Sequence, residues 1–163
     1  MLIAPAALAS AVIKGTPKED KLEGTQARDA IFGYELNDTL WGYASADILR
    51  GGPGGDLIFG GKGEDALRGG PDHDDLRGGA DDDSLLGGKG TDLHKGNSGE
   101  DTVDGGDGMD FLNGGPDDDV VFGGFDGVRD RMKGGPGEDI CFVRKNDVVA
   151  DDCETISMET PDV

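Results

Sequence analysis

The sequence predicts an all-β fold, a parallel solenoid of about fourteen nine-residue turns whose C-terminal cap is tied by a disulfide. Three observations predict it. Aspartate recurs at every ninth position without a break from Asp20 to Asp119, and two positions after each comes an aliphatic residue, with one exception. Each unit from Gly51 to Lys95 opens with a pair of glycines.

Composition alone points elsewhere. Of 163 residues only 34% are hydrophobic and 6% aromatic, which is little material for an ordinary core. Glycine contributes 31 residues, and 35 acidic residues face 15 basic ones, for a formal net charge of −20. An acidic disordered segment would have this composition, but disorder does not keep twelve aspartates in register. The charge excludes nucleic acid and anionic membranes as partners, since both would be repelled, and no apolar stretch is long enough for membrane insertion. Metal cations are the partners this charge invites.

The aspartate column is Asp20, Asp29, Asp38, Asp47, Asp56, Asp65, Asp74, Asp83, Asp92, Asp101, Asp110 and Asp119. The second column is Leu22, Ile31, Leu40, Leu49, Ile58, Leu67, Leu76, Leu85, His94, Val103, Leu112 and Val121. The unit therefore reads GGxGxDxUx, with U aliphatic. Glycines at the start give a tight loop that needs positive φ, and the x-U-x that follows is one very short strand with U pointing inward. If each loop reverses the chain, two units make an eighteen-residue circuit, and two parallel sheets face each other across the U columns. About seven circuits at the usual strand spacing would make a rod roughly 30 Å long. One aliphatic residue per nine cannot offset the backbone entropy of ordering the unit.

The pattern resembles the RTX, or haemolysin-type calcium-binding, repeat. Fourteen units can be laid end to end over residues 15–142. The resemblance implies a parallel β-roll and Ca2+ as cofactor, with the remaining ligand oxygens coming from backbone carbonyls of the GGxGx segment. Calcium suits such a site because it takes six to eight oxygens in flexible geometry. Loops on one side belong to alternate units, so Asp56 pairs with Asp74, Asp65 with Asp83, Asp74 with Asp92, Asp83 with Asp101, Asp92 with Asp110, and Asp101 with Asp119. The loop glycines expected beside them are Gly52, Gly54, Gly61, Gly63, Gly70, Gly79, Gly88, Gly90, Gly99, Gly106 and Gly108. Asp72, Asp81 and Asp117 take the place of a loop glycine, either as added ligands or as residues that merely tolerate the turn.

The match divides the chain. Residues 1–14 form a leader and lead-in, 15–142 the roll, and 143–163 a C-terminal cap and tail. Within the roll, 51–122 match well. In 15–50 glycines give way to Thr16, Thr25, Tyr34 and Tyr43 and to Lys18, Ala27, Leu36 and Ser45, so weak or absent binding is expected. Residues 123–142 are irregular: an eleven-residue unit displaces its aspartate to Asp130 and its apolar residue to Met132, and register resumes with Asp139 and Cys141.

His94 replaces an aliphatic residue. With His73 the only other histidine and no metal-ligand cluster, it reads as a tolerated or locally shifted core position with Leu93 sharing the packing. Phe32, Tyr34, Trp41 and Tyr43 form either a carbohydrate-binding strip or cover for the outer face. Arg50, Arg68, Arg77 and Lys95 read as solvent-facing charges that offset nearby aspartates. No nucleophile, zinc or phosphate-loop motif is present, so an enzyme is not expected. Two cysteines, Cys141 and Cys153, suggest a disulfide closing a hairpin over the open end of the roll, the alternative being free thiols with Cys141 as a small buried residue. The apolar start ends in Ala9-x-Ala11, as in an export signal, though no basic residue precedes the run, which leaves a misplaced start or a mere apolar leader as alternatives.

The expected protein is a secreted calcium-binding structural or interaction module. The alternatives are a carbohydrate- or cell-surface-binding module and a C-terminal repeat fragment related to extracellular toxins and hydrolases.

Overall fold

The computed structural model describes residues 10–150 and 152–157. Most of the leader, residues 1–9, and the end of the tail lie outside them. No helix among the described residues is long and apolar enough to cross a membrane.

The chain coils into two parallel sheets. One holds nine strands: β1 (Val12–Lys14), β3 (Ala30–Phe32), β5 (Ile48–Arg50), β7 (Ala66–Pro71), β9 (Ser84–Gly90), β11 (Thr102–Gly108), β13 (Val120–Phe122), β15 (Asp139–Val143) and β17 (Cys153–Ser157). The other holds eight: β2 (Lys21–Glu23), β4 (Thr39–Ala44), β6 (Leu57–Lys62), β8 (Asp75–Ala80), β10 (Leu93–Ser98), β12 (Phe111–Asn113), β14 (Arg131–Lys133) and β16 (Val148–Val149). Each strand pairs with those two before and two after it, so one circuit contains two nine-residue units.

The solenoid therefore has about eight turns, not fourteen. Fourteen counts half-circuits, one for each of β2 to β15. β1, β16 and β17 are additional. They escape the repeat because a ladder needs only an inward apolar residue, which Ile13 and Val149 supply by pairing with Ile31 and Met132.

The U residues line up as the period requires. One column runs Ile31, Leu49, Leu67, Leu85, Val103, Val121 and Cys141. The other runs Leu22, Leu40, Ile58, Leu76, His94, Leu112 and Met132. Apart from Leu22 these side chains are buried, in two apolar clusters, one ending at Leu85 and one starting at Val103, with His94 in between. His94 is fully buried and in register with Leu76 and Leu112. Of the two readings, His94 is the tolerated core position and not a locally shifted one, and Leu93 faces outward because its neighbour keeps the inward place.

The C-terminal cap is also a correction. Instead of a hairpin, β16 and β17 add in parallel to β14 and β15 and extend the roll. Cys141 and Cys153 are disulfide-bonded across the adjacent strands β15 and β17, with Cα atoms 5.7 Å apart, in the usual span for such a bridge.

Candidate metal sites

The loops between strands stack on two edges of the roll, odd-to-even connections on one and even-to-odd on the other. On both edges the repeat aspartates stand one above another. From Asp29 to Asp139 every one is at most 3% exposed.

Each carboxylate has two distinct oxygens. Oδ1 accepts the backbone N–H of the aspartate one circuit earlier: Asp56 donates to Asp74 at 2.7 Å, and Asp65 to Asp83, Asp74 to Asp92, Asp83 to Asp101, Asp92 to Asp110 and Asp101 to Asp119 at 2.8 Å. The six pairs expected from the period are thus brought together. Oδ2 is buried with no hydrogen-bond partner in Asp38, Asp47, Asp56, Asp65, Asp74, Asp83, Asp92, Asp101, Asp110, Asp119 and Asp139. Native interiors rarely leave one such oxygen unpaired, let alone a column of them.

The glycines explain why Oδ2 points where it does. A Cβ at Gly69 would collide with Oδ2 of Asp74, and one at Gly51 with Oδ2 of Asp56. The first glycine of the unit is thus required for room, not for its φ. The second and fourth positions need both: Gly52 and Gly54 have φ of 121° and 131°, and a Cβ on either would collide with the carbonyl oxygen of Tyr34 or Leu36 one circuit earlier. All eleven loop glycines named from the sequence share the left-handed conformation. Backbone carbonyl oxygens of the next circuit lie beside the aspartate column: a Cβ at Gly60 would meet both Oδ2 of Asp65 and the carbonyl of Gly78, and one at Gly96 both Oδ2 of Asp101 and the carbonyl of Gly114.

The early units split into two kinds. In the first two, the backbone N–H groups of Thr16 and Thr25 donate at 2.5 Å to Oδ2 of Asp20 and Asp29, which removes the deficit. In the next two, Tyr34, Leu36, Tyr43 and Ser45 are held at φ of 90°, 68°, 78° and 72°, and Oδ2 of Asp38 and Asp47 is orphaned as in the glycine-rich units. Substituted loops can thus keep the backbone of the well-matched ones.

Burial raises the affinity of these carboxylates for protons, an effect partly offset by the N–H each accepts and reinforced by the neighbouring acids. Asp74 and Asp83 are pushed up to about 8. Asp56, Asp65, Asp110 and Asp119 reach about 7, and Asp47 and Asp101 about 6. A carboxylate in this state demands either a proton or a cation.

No basic side chain among the described residues forms an ion pair with a repeat aspartate. Among the described residues there are two ion pairs, Arg77 with Asp75 and Lys133 with Asp152, and neither reaches the repeat aspartates. Arg77 and Arg50 instead lie over the rings of Phe59 and Phe32 on the outer faces. Nor do three or more His, Cys, Asp or Glu side chains converge on a metal cage among the described residues. An ion held here must draw on backbone carbonyls as well as carboxylates. That is a hard, all-oxygen donor set, which fits calcium and not zinc or copper.

The sites missed from sequence are acids outside the column. Asp147 accepts the N–H groups of Asp130 and Arg144 at 3.1 and 2.6 Å, closing the last circuit without a glycine unit. Asp126, inside the eleven-residue unit, accepts the N–H of Gly108 at 2.6 Å. Asp81 and Asp117, which the sequence already offered as added ligands or turn residues, accept those of Gly63 and Gly99 at 3.0 and 3.2 Å, one circuit back.

The two histidines share no site. His73 accepts an N–H from Thr91 at 2.9 Å, whereas both nitrogens of His94 are unpartnered and burial pushes its imidazole down to about 4. Nor do the early aromatics make one strip. Nine residues is half a circuit, so Phe32 and Trp41 fall on opposite sheets, and Tyr34 and Tyr43 on opposite edges. Trp41 stacks on Phe59 with ring centres 6.0 Å apart.

Fold and edges together define a parallel β-solenoid whose stacked turns present columns of oxygens lacking a counter-charge. The residue pattern of the RTX calcium-binding nonapeptide repeat matches residues 14–42, 23–58, 32–67, 59–93 and 95–127, and the chain belongs to that family. No curated protein gives a significant match to the chain.

Proposed function

We propose that the chain is an exported structural or interaction module, a rod that calcium ions assemble by binding between successive circuits on both edges. The observation that carries this reading is the row of buried, unpartnered Oδ2 atoms beside backbone carbonyls of the next circuit. Asp56, Asp65, Asp74, Asp83, Asp92, Asp101, Asp110 and Asp119 would hold the ions, with carbonyls of the GGxGx turns. Bound calcium supplies the missing positive charge and ties each turn to the next, so that its binding energy becomes folding energy. Six steps in the well-matched block have orphaned oxygens on both sides, and the steps Asp38–Asp56, Asp47–Asp65 and Asp119–Asp139 share that feature.

Export is supported by the family, whose repeats are typical of extracellular proteins, and by the disulfide, which belongs to an oxidising compartment.

Calorimetric titration with calcium tests the reading. It predicts six or more ions per chain, with magnesium a poor substitute because of its small octahedral shell. One ion or none would end it.

A further inference from the structure

The acids of the chain lie on the edges of the roll, and its flat faces are nearly free of them. In the nine-stranded sheet the outward residues beside the U column carry Lys14, Arg50 and Arg68 in β1, β5 and β7, and Asp104 and Glu154 in β11 and β17. Basic residues thus occupy one half of this face and acidic residues the other. The remaining outward places are uncharged. In β13 and β15 they are all large and apolar, and Phe122 and Phe142 stack there with ring centres 4.5 Å apart.

This order suits a two-fold axis. The middle strand of the sheet is β9, and a second copy laid face to face about an axis along it sets β7 against β11, β5 against β13 and β3 against β15. Such an axis keeps the strand direction, so the residue after U meets the residue after U. Arg68 then faces Asp104, Arg50 faces the ring of Phe122, Phe32 faces Phe142, and Leu86 meets its own copy on the axis. In the row before U, Ile48 meets Val120 and the small Ala30 meets the larger Ile140. Neither Arg68 nor Asp104 has an ion-pair partner within the chain among the described residues.

The other face fails the same operation. Its middle strands are β8 and β10, so Arg77 would be set against Lys95 at the centre of the contact. Lys21, Arg131 and Lys133 add to that positive charge, with only Glu23 and Asp75 beside U to oppose it.

We infer that the outer face of the nine-stranded sheet is a dimer interface whose partner is a second copy of the chain, docked about a two-fold axis along β9. A net charge of −20 makes two copies repel almost everywhere else. Here the few charges are complementary across the axis, and the symmetry makes each Arg68–Asp104 pair twice. The inference rests on the roll being folded and not on what folds it.

Sedimentation of the full chain in saturating calcium, with circular dichroism on the same samples to show that the roll is formed, tests it. The wild-type chain should run at twice the chain mass. Arg68→Glu should weaken association by roughly 10–100-fold, and Arg68→Glu combined with Asp104→Arg, which reverses both pairs, should restore it. Leu86→Lys, which sets two like charges together on the axis, should give monomers and decides the matter if the Asp104 variant does not fold. Lys95→Glu, on the other face, should leave the dimer unchanged. A folded wild-type monomer overturns the inference, as does a dimer indifferent to both Arg68→Glu and Leu86→Lys, or one broken by Lys95→Glu alone. Calcium-driven folding to a monomer would leave the proposed function standing. A roll that forms and pairs in chelator would defeat that function and uphold the interface.

Discussion

The backbone N–H of Asp65 donates to Oδ1 of Asp83 at 2.8 Å, while Oδ2 of the same carboxylate is buried without a partner. One side chain thus joins two circuits and, in the same place, leaves half its charge unanswered. Repeated along both edges, this makes the solenoid a structure whose backbone is complete and whose electrostatics are not.

Loss of a carboxylate should hurt most where the oxygen is orphaned. Asp83 serves the intervals below and above it, toward Asp65 and Asp101, whereas both oxygens of Asp29 are satisfied by the N–H groups of Ala11 and Thr25. Asp83→Ala should raise the calcium midpoint of folding by about tenfold, and Asp29→Ala by much less. Equal midpoints for the two variants would refute this ranking.

Acid should replace calcium in part. The folded-state values of Asp74 and Asp83, about 8, lie above the ordinary carboxylate value near 4, so the fold takes up protons there that the unfolded chain does not. The stability this confers is fully present below about pH 4 and is lost progressively as pH rises from there through about 8. His94 acts in the opposite sense: its folded value of about 4 lies below the usual 6.5, so its contribution is present above 6.5 and is lost as pH falls toward 4. With many carboxylates against one imidazole, β-structure in chelator should increase as pH is lowered from 8 to 5. A circular dichroism spectrum unchanged across that range would contradict the assignment.

Replacing His94 by leucine should stabilise the roll. The substitution continues the column of Leu76 and Leu112 and removes two buried nitrogens with no partner, a gain of about 1–3 kcal/mol. Thermal unfolding in saturating calcium measures it. A lower midpoint for His94→Leu would show that the imidazole has a partner or a role not visible in its packing.

The bridge between Cys141 and Cys153 should appear as a linked peptide in a non-reduced digest of the purified protein. Its reduction should lower stability by roughly 2–4 kcal/mol, since it fastens the last strand of one sheet to the strand beside it. Free-thiol labelling of both residues would contradict the pairing.

The part of the fold set by period was legible in the sequence. A spacing of nine fixes which aspartates and which U residues meet eighteen positions apart, and the ladders follow it from Leu22 to Val121. What the period does not carry was missed. Val148 and Cys153 extend the sheets without a glycine turn, because strand pairing needs no motif. Tyr34 and Leu36 were set apart as substitutions, yet the stacked loops on either side hold them in the left-handed region all the same. The difference between Asp29 and Asp38 depends on whether a single backbone N–H turns toward Oδ2, which residue types alone do not reveal.

If calcium binding and folding are one event, circular dichroism of the wild-type chain at neutral pH should show it. In excess chelator the repeat region should be largely disordered, because single-file apolar columns cannot offset eleven buried unpaired carboxylate oxygens. Calcium should then produce β-structure in one cooperative step. A spectrum already rich in β-structure in chelator, and unmoved by calcium, would contradict the account.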